Sequence, residues 1–177
     1  MTPEQLLALF EQTAAAIKDA LDTVRGADLR ARTSRPGQYA LDLVADKAAL
    51  EILRDAPVTI VSEESGVGPQ SDSGITVVID PVDGSSNAAR GIPYWATSLC
   101  ALDAQGPLAA MVINQATGVS STATRGGGAH RDGEPISVSS ATKAEDSVIA
   151  LSAFPGRMLA WKQFRALVVK APAVGGD

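Results

Sequence analysis

The chain has 177 residues, 45% of them apolar, and its 20 acidic against 15 basic side chains leave a net charge of -5. That is material for one globular fold with a core of its own, and the mild negative balance gives no electrostatic footing for nucleic acid or an anionic membrane. A lone cysteine, Cys100, excludes a disulfide framework and suits a reducing cytoplasm; no stretch reads as a secretory signal or a membrane span.

Two helices open the chain. Thr2-Pro3-Glu4-Gln5 is a helix start, with a capping threonine and a proline in the first turn. Leu6, Phe10, Ala14, Ile17, Leu21 and Val24 form one apolar stripe, and Gly26 is expected to end the helix. A polar loop over 27–39 leads to a second helix over 42–54, in which Leu43, Asp46, Leu50 and Leu53 recur at helical spacing. Asp46 therefore falls on the inward stripe near the helix start, where an acid ordinarily partners the helix dipole.

Beyond this point the period changes. Strands are expected at 58–61, 76–79, 96–102, 108–114, 118–124, 136–139 and 147–152, with turns at Asp103-Ala104-Gln105-Gly106 and Asp132-Gly133. Gly126-Gly127-Gly128 reads as a tight hairpin rather than a phosphate loop. Cys100 reads as a small core residue of an apolar strand, and His130 as an exposed histidine of the Gly-rich turn. A further helix is expected over 159–169, ahead of a tail rich in Ala, Pro and Gly. Two helices followed by many antiparallel strands make an α+β fold, the helix pair packed on a mainly antiparallel sheet.

The chemistry is concentrated in Asp80-Pro81-Val82-Asp83-Gly84-Ser85-Ser86-Asn87, which follows the β-branched run Thr76-Val77-Val78-Ile79. Two carboxylates at a strand end repel each other, by on the order of 4 kcal/mol at about 4 Å and an effective dielectric near 20. A hard divalent cation removes that penalty. The residues after Asp83 open a short helix, whose free amides suit a phosphoryl group beside the metal. The competing reading is a solvated Asp-rich turn, since Asp, Gly, Ser and Asn all form turns. Spacing excludes an EF-hand loop, which needs alternating acids and a late glutamate, and a Walker loop, which needs Gly-Lys-Ser/Thr. Upstream, Val58-Thr59-Ile60-Val61 reads as a strand running into Ser62-Glu63-Glu64-Ser65-Gly66, which can bring one more carboxylate to the same ion.

These two acidic elements, with Gly91-Ile92-Pro93, the strand 96–102, Arg125-Gly126-Gly127-Gly128-Ala129 and Asp132-Gly133-Glu134-Pro135-Ile136-Ser137-Val138-Ser139, resemble the inositol monophosphatase family of Mg²⁺-dependent, lithium-sensitive sugar-phosphate phosphatases. The resemblance covers the chain to about residue 154 and implies a domain over 1–154, followed by the start of a shortened C-terminal portion over 155–177. It implies the first part of a layered αβαβα fold whose second α/β layer, with a further metal-binding Asp, is missing.

Carried over by position, the resemblance gives Glu63, Asp80 and the Val82 carbonyl to one Mg²⁺. Asp80 would bridge to a second ion, held also by Asp83. The Gly84 and Ser85 amides, with Asp83 beside them, would hold the substrate phosphate, and Glu63 with the Ser85 hydroxyl would orient and deprotonate water. The family usually has Thr where this chain has Ser85, so the hydroxyl is kept and the stiff β-branched rotamer is lost. Asp46, rather than Asp42, is the residue that would orient that hydroxyl, although the family's preceding Thr is absent here.

The implied function is Mg²⁺-dependent hydrolysis of a small phosphorylated polyol or sugar, inositol monophosphate first, by a cytoplasmic enzyme that can form a homodimer. The alternatives are a non-catalytic remnant that binds metal or phosphate, and a phosphatase for fructose bisphosphate or a bisphosphorylated nucleotide.

Overall fold

Thr2 caps the first helix as its sequence requires: its hydroxyl accepts from Gln5 N–H at 3.2 Å, and its own N–H donates to Gln5 Oε1 at 2.8 Å. The computed structural model describes residues 1–143, and in it helix α1 runs Pro3–Leu21 and helix α2 runs Ala40–Leu53. α1 stops short of the expected Val24. Thr23 and Val24 N–H turn back to the carbonyls three residues earlier, at 3.2 and 3.0 Å, so the last turn tightens and closes before Gly26. Gly26 instead begins a short 3₁₀ helix, Gly26–Arg30, inside the expected loop.

Eight strands form one sheet in the order β2-β1-β3-β4-β5-β6-β7-β8. They are β1 Thr59–Ser62, β2 Gly66–Val67, β3 Thr76–Asp83, β4 Ala96–Asp103, β5 Gly106–Asn114, β6 Ser120–Thr124, β7 Gly128–Arg131 and β8 Glu134–Ile136. Every neighbouring pair is antiparallel except β1 and β3, which run parallel. The α+β class and the mainly antiparallel sheet agree with expectation.

The distal strands differ from it. The 136–139 strand is absent; Asp132 and Gly133, both at positive φ, turn β7 back into β8, and the described residues after Ile136 form no strand. Ile136 ends β8, paired with Ala129 of β7, and Val138 beyond it is 94% exposed. His130 lies in β7, half-buried, not in the glycine turn, which joins β6 to β7.

Both helices lie on one face of the sheet. Leu6, Phe10 and Ile17 of α1 and Leu41, Ala45, Ala49 and Leu53 of α2 are buried with Val77, Ile79, Leu99, Ala101, Ala109 and Met111. The inward stripe of α2 is Leu41, Asp42, Ala45, Asp46, Ala49 and Leu53, so Asp42 and Asp46 are both buried. Leu43, expected inward, is 46% exposed. The small side chains of Ala45 and Ala49 let the helix sit close, which fixes its rotation. Cys100 faces the other side of the sheet and is half-buried rather than in the core.

The residues Met1–Ile136 make one compact unit. The expected strand at 147–152, the helix at 159–169 and the domain boundary after 154 lie outside the described residues. Among the described residues no helix is long and apolar enough to cross a membrane.

Candidate active site

The parallel pairing of β1 and β3 builds the site. Ser62 stands opposite Ile79, and Glu63 N–H donates to Ile79 O at 3.1 Å, so the next residue on each strand is an acid, Glu63 beside Asp80. β3 does not end at Ile79 as expected. It continues through Pro81 to Asp83, with a break in register against β4 between Asp80 and Asp83. Proline has no N–H for the ladder and is tolerated inside a sheet at such a bulge. The freed Pro81 carbonyl accepts from Thr97 Oγ1 at 2.8 Å, and Gln115 Nε2 donates to Thr97 Oγ1 and to Ala14 O, each at 3.0 Å. A buried network thereby anchors the irregular stretch to β4 and α1.

Asp80 Oδ1 accepts from Val82 N–H at 3.0 Å, folding the carboxylate over the proline. Partial burial, then hydrogen bonding and charge from the Glu63 carboxyl, then the Asp83 charge push the Asp80 carboxyl up to about 7. None of the ion pairs among the described residues reaches Glu63, Asp80 or Asp83. Glu64, by contrast, takes the local cation: Arg35 lies 3.3 Å from it and Gln38 Nε2 donates to it. A crowded all-oxygen carboxylate pair with no ion-paired cation among the described residues fits a hard divalent ion. Among the described residues no group of three or more acidic, His or Cys side chains closes around one point. What converges is the Glu63–Asp80 pair, while Asp83, exposed at the end of β3, acts on it at longer range.

Gly84 follows at φ +92°, and a Cβ there would stand 3.2 Å from Trp95 Cβ and from Tyr94 O. Only glycine fits this corner. The helix α3, Ser85–Ala88, starts immediately, and its recorded bonds begin with Asn87 N–H to Gly84 O at 2.8 Å. The amides of Gly84 and Ser85 precede that ladder.

The structure places the Asp46 carboxylate against Ser62. This carboxylate accepts from the buried Ser62 Oγ, and Ser62 Oγ accepts from Glu64 N–H at 3.2 Å, so Asp46 braces the loop that carries Glu63. The acid beside Ser85 is Asp42. Its Oδ2 accepts from Tyr39 N–H at 2.8 Å, while its Oδ1 is buried with no hydrogen-bond partner. Burial raises the Asp42 carboxyl, an effect opposed by the Tyr39 amide and the Ser85 hydroxyl. That hydroxyl makes a long bond, 3.4 Å, to Val82 O, and lies near enough to Asp42 to act on its carboxyl. The sequence signal for Asp42 was its place three residues after Tyr39, the residue that caps α2, where an acid reaches back to a free amide; Tyr39 is not a capping residue type, and the signal is faint.

Glu63, Asp80, Ser62, Ser98, Val78 and Cys100 line a cavity of about 280 Å³ on the sheet face away from α1 and α2. Arg35, Gln38 and Tyr39, between the two helices, are further residues at this end of the sheet that no motif marked.

Comparison with known proteins settles the kinship. The profile of the inositol monophosphatase family matches residues 2–164. The chain belongs to this family. Among curated members, a fructose-1,6-bisphosphatase/inositol-1-monophosphatase of Archaeoglobus fulgidus is 42% identical over 129 residues, 71% of this chain and 49% of the relative. Inositol-1-monophosphatase ImpA of Mycolicibacterium smegmatis is 31% identical over 159 residues, 87% of this chain and 57% of the relative. Of solved members, the inositol monophosphatase of Anabaena superposes with a TM-score of 0.64 at 26% identity, covering 80% of this chain and 52% of that one. The suppressor protein SuhB of Bartonella henselae shares the fold, with a TM-score of 0.77 at 23% identity over 95% of this chain and 68% of that one. The chain spans about half the length of the curated family members it matches.

Proposed function

We propose that this chain carries the catalytic half of a metal-dependent phosphatase that hydrolyses a small phosphorylated polyol or sugar. The observation that carries the reading is the Glu63–Asp80 carboxylate pair, with no ion-paired cation among the described residues, beside the Gly84–Ser85 turn. Glu63, Asp80 and the Val82 carbonyl would hold Mg²⁺, with Asp83 at the rim of the same site. When bound, Mg²⁺ lowers the pKa of water and offsets the charge that builds on the phosphoryl oxygens.

The protein's own groups do the rest. The Gly84 and Ser85 amides donate to the phosphate oxygens and hold phosphorus in line with the attacking water. Ser85 Oγ orients that water, with Asp42 accepting from the hydroxyl and fixing its direction. Glu63 takes the water's proton as the P–O bond to the alcohol breaks, and the departing oxygen is protonated from solvent. The barrier for monoester hydrolysis must fall by roughly 20 kcal/mol, and no nucleophilic side chain is needed for it.

Inositol 1-phosphate is the first substrate to assay. Fructose 1,6-bisphosphate is the second, because the Archaeoglobus relative bears both activities in its name. The lone Cys100 supports a cytoplasmic setting. The test is phosphate release by the purified 177-residue chain with and without Mg²⁺. Release from either substrate that requires Mg²⁺ is the expected result. No release from either, with folded protein and excess Mg²⁺, overturns the enzymatic reading and leaves a remnant that binds metal or phosphate.

A further inference from the structure

Beside this site lies a cluster of opposite charge that the reaction does not use. The Tyr39 side chain is 2% exposed, yet its phenol oxygen meets two guanidinium groups: Arg32 Nη2 donates to it at 2.7 Å and Arg90 Nη1 at 2.8 Å. Arg32 also lies over the phenol ring, its guanidinium carbon 3.5 Å from the centroid. Backbone carbonyls fix both forks, Gly37 O for Arg32 and Ser86 O for Arg90, each at 2.8 Å. Ser86 Oγ stands 3.3 Å from the same phenol oxygen, and Arg30 Nε reaches Ala89 O at 3.4 Å. None of the ion pairs among the described residues includes Arg30, Arg32 or Arg90.

Surface arginines ordinarily spread apart or pair with carboxylates. Here two of them are held at one oxygen and tethered, with no ion-paired acid among the described residues. Arg90 spends only Nη1 on the protein, so its Nε and Nη2 donors are left over, together with Nε of Arg32. Guanidinium forks held in this way match the oxygens of a tetrahedral dianion. The phenol is biased toward its ionised form, first by the Ser86 hydroxyl and then by the two arginines.

We propose that Arg32, Arg90 and Ser86, organised by Tyr39, form a second anion site that takes a phosphoryl group other than the one hydrolysed. Its place in the chain connects it to the first: Ser86 follows Ser85, and Tyr39 N–H holds the Asp42 carboxylate that stands by the Ser85 hydroxyl. The occupant is the second phosphoryl of a doubly charged substrate or free phosphate. The substrate source rests on the phosphatase reading above; the site itself does not.

The test starts with the full chain in EDTA, titrated with inorganic phosphate. Wild-type protein should bind and gain melting temperature, and Arg90→Gln or Arg32→Gln should weaken binding by about tenfold or more, the usual cost of a charge-assisted hydrogen bond. Tyr39 reports directly: phosphate neutralises the arginine field, so phenolate absorbance at 295 nm should develop at higher pH. The exposed Tyr94, the other of the two tyrosines, is an internal reference that should not move. Tyr39→Phe keeps the packing, removes the shared acceptor and should weaken phosphate as the arginine variants do.

With Mg²⁺ present, a rise in KM of Arg90→Gln for fructose 1,6-bisphosphate that exceeds the rise for inositol 1-phosphate identifies a second substrate phosphoryl as the occupant. Phosphate binding without that difference identifies free phosphate. Phosphate affinity indifferent to both arginines, or a Tyr39 titration that phosphate does not shift, overturns the site. Arginine-dependent phosphate binding without Mg²⁺-dependent turnover upholds it while removing the phosphatase reading.

Discussion

Replacing Asp80 with Asn tests the carboxylate crowding that the site is built on. In the metal-free fold the Asp80 carboxyl titrates near 7 instead of 3.8. The folded state therefore keeps a proton that the unfolded chain has already lost, and stability falls as pH rises from about 4 to about 7, then levels. The full shift corresponds to about 4 kcal/mol, and with Asp80 only half-buried, screening reduces this to about 2 kcal/mol. The substituted amide carries no such charge and can keep the bond from Val82 N–H. In EDTA, Asp80→Asn should equal wild type near pH 4 and exceed it by about 2 kcal/mol at pH 8, or about 4–8 °C in melting temperature for a chain of this size. In excess Mg²⁺ at pH 8 the order should reverse, since only wild type has the full ligand set. Urea or thermal denaturation at four pH values, with and without metal, measures both. A metal-free gap that is absent at pH 8, or constant from pH 4 to 8, would refute the crowding argument; wild type unmoved by Mg²⁺ would refute the metal assignment.

Ser85→Ala should lower turnover by at least about a hundredfold, as expected for a lost group that orients and helps deprotonate water, and Ser85→Thr should keep it; steady-state phosphate release compares them. Asp42→Asn should also lower kcat by about a hundredfold without loss of metal-free stability, since burial already raises this carboxyl. Asp46→Ala should instead destabilise by about 1–3 kcal/mol, because the buried Ser62 hydroxyl loses its acceptor, and its kcat loss should be the smaller of the two. Gly84→Ala, forced to φ +92° against Trp95 and Tyr94, should cost about 1–3 kcal/mol in denaturation and reduce phosphate release further.

Much of the fold was legible because local rules and packing agreed. The Thr2 cap, the stripe from Leu6 to Ile17, the β-branched run 76–79 and the glycine turns each formed the element that their chemistry favours. The misses have distinct causes. Ile136 and Val138 alternate like a strand, but the Asp132-Gly133 turn sets the pairing with β7 at residues 134–136 and leaves Val138 beyond it. Leu43 matched the helical period, yet the close approach allowed by Ala45 and Ala49 rotated it outward. Asp42 and Asp46 occupy the same stripe, and spacing could not say which of them meets Ser85.

By itself the sequence determined the reactive inventory: acids at 63, 80 and 83, a glycine corner at 84 and a hydroxyl at 85, in an order that carries the family's signature. Tertiary structure decided who meets whom. The parallel pairing of β1 with β3 sets Glu63 against Asp80, α2 turns Asp42 toward Ser85 and leaves Asp46 to Ser62, and Tyr39 gathers Arg32 and Arg90 from positions 58 residues apart. Spacing along a strand or helix fixes which face a side chain occupies; which other segment packs against that face depends on how the whole core closes.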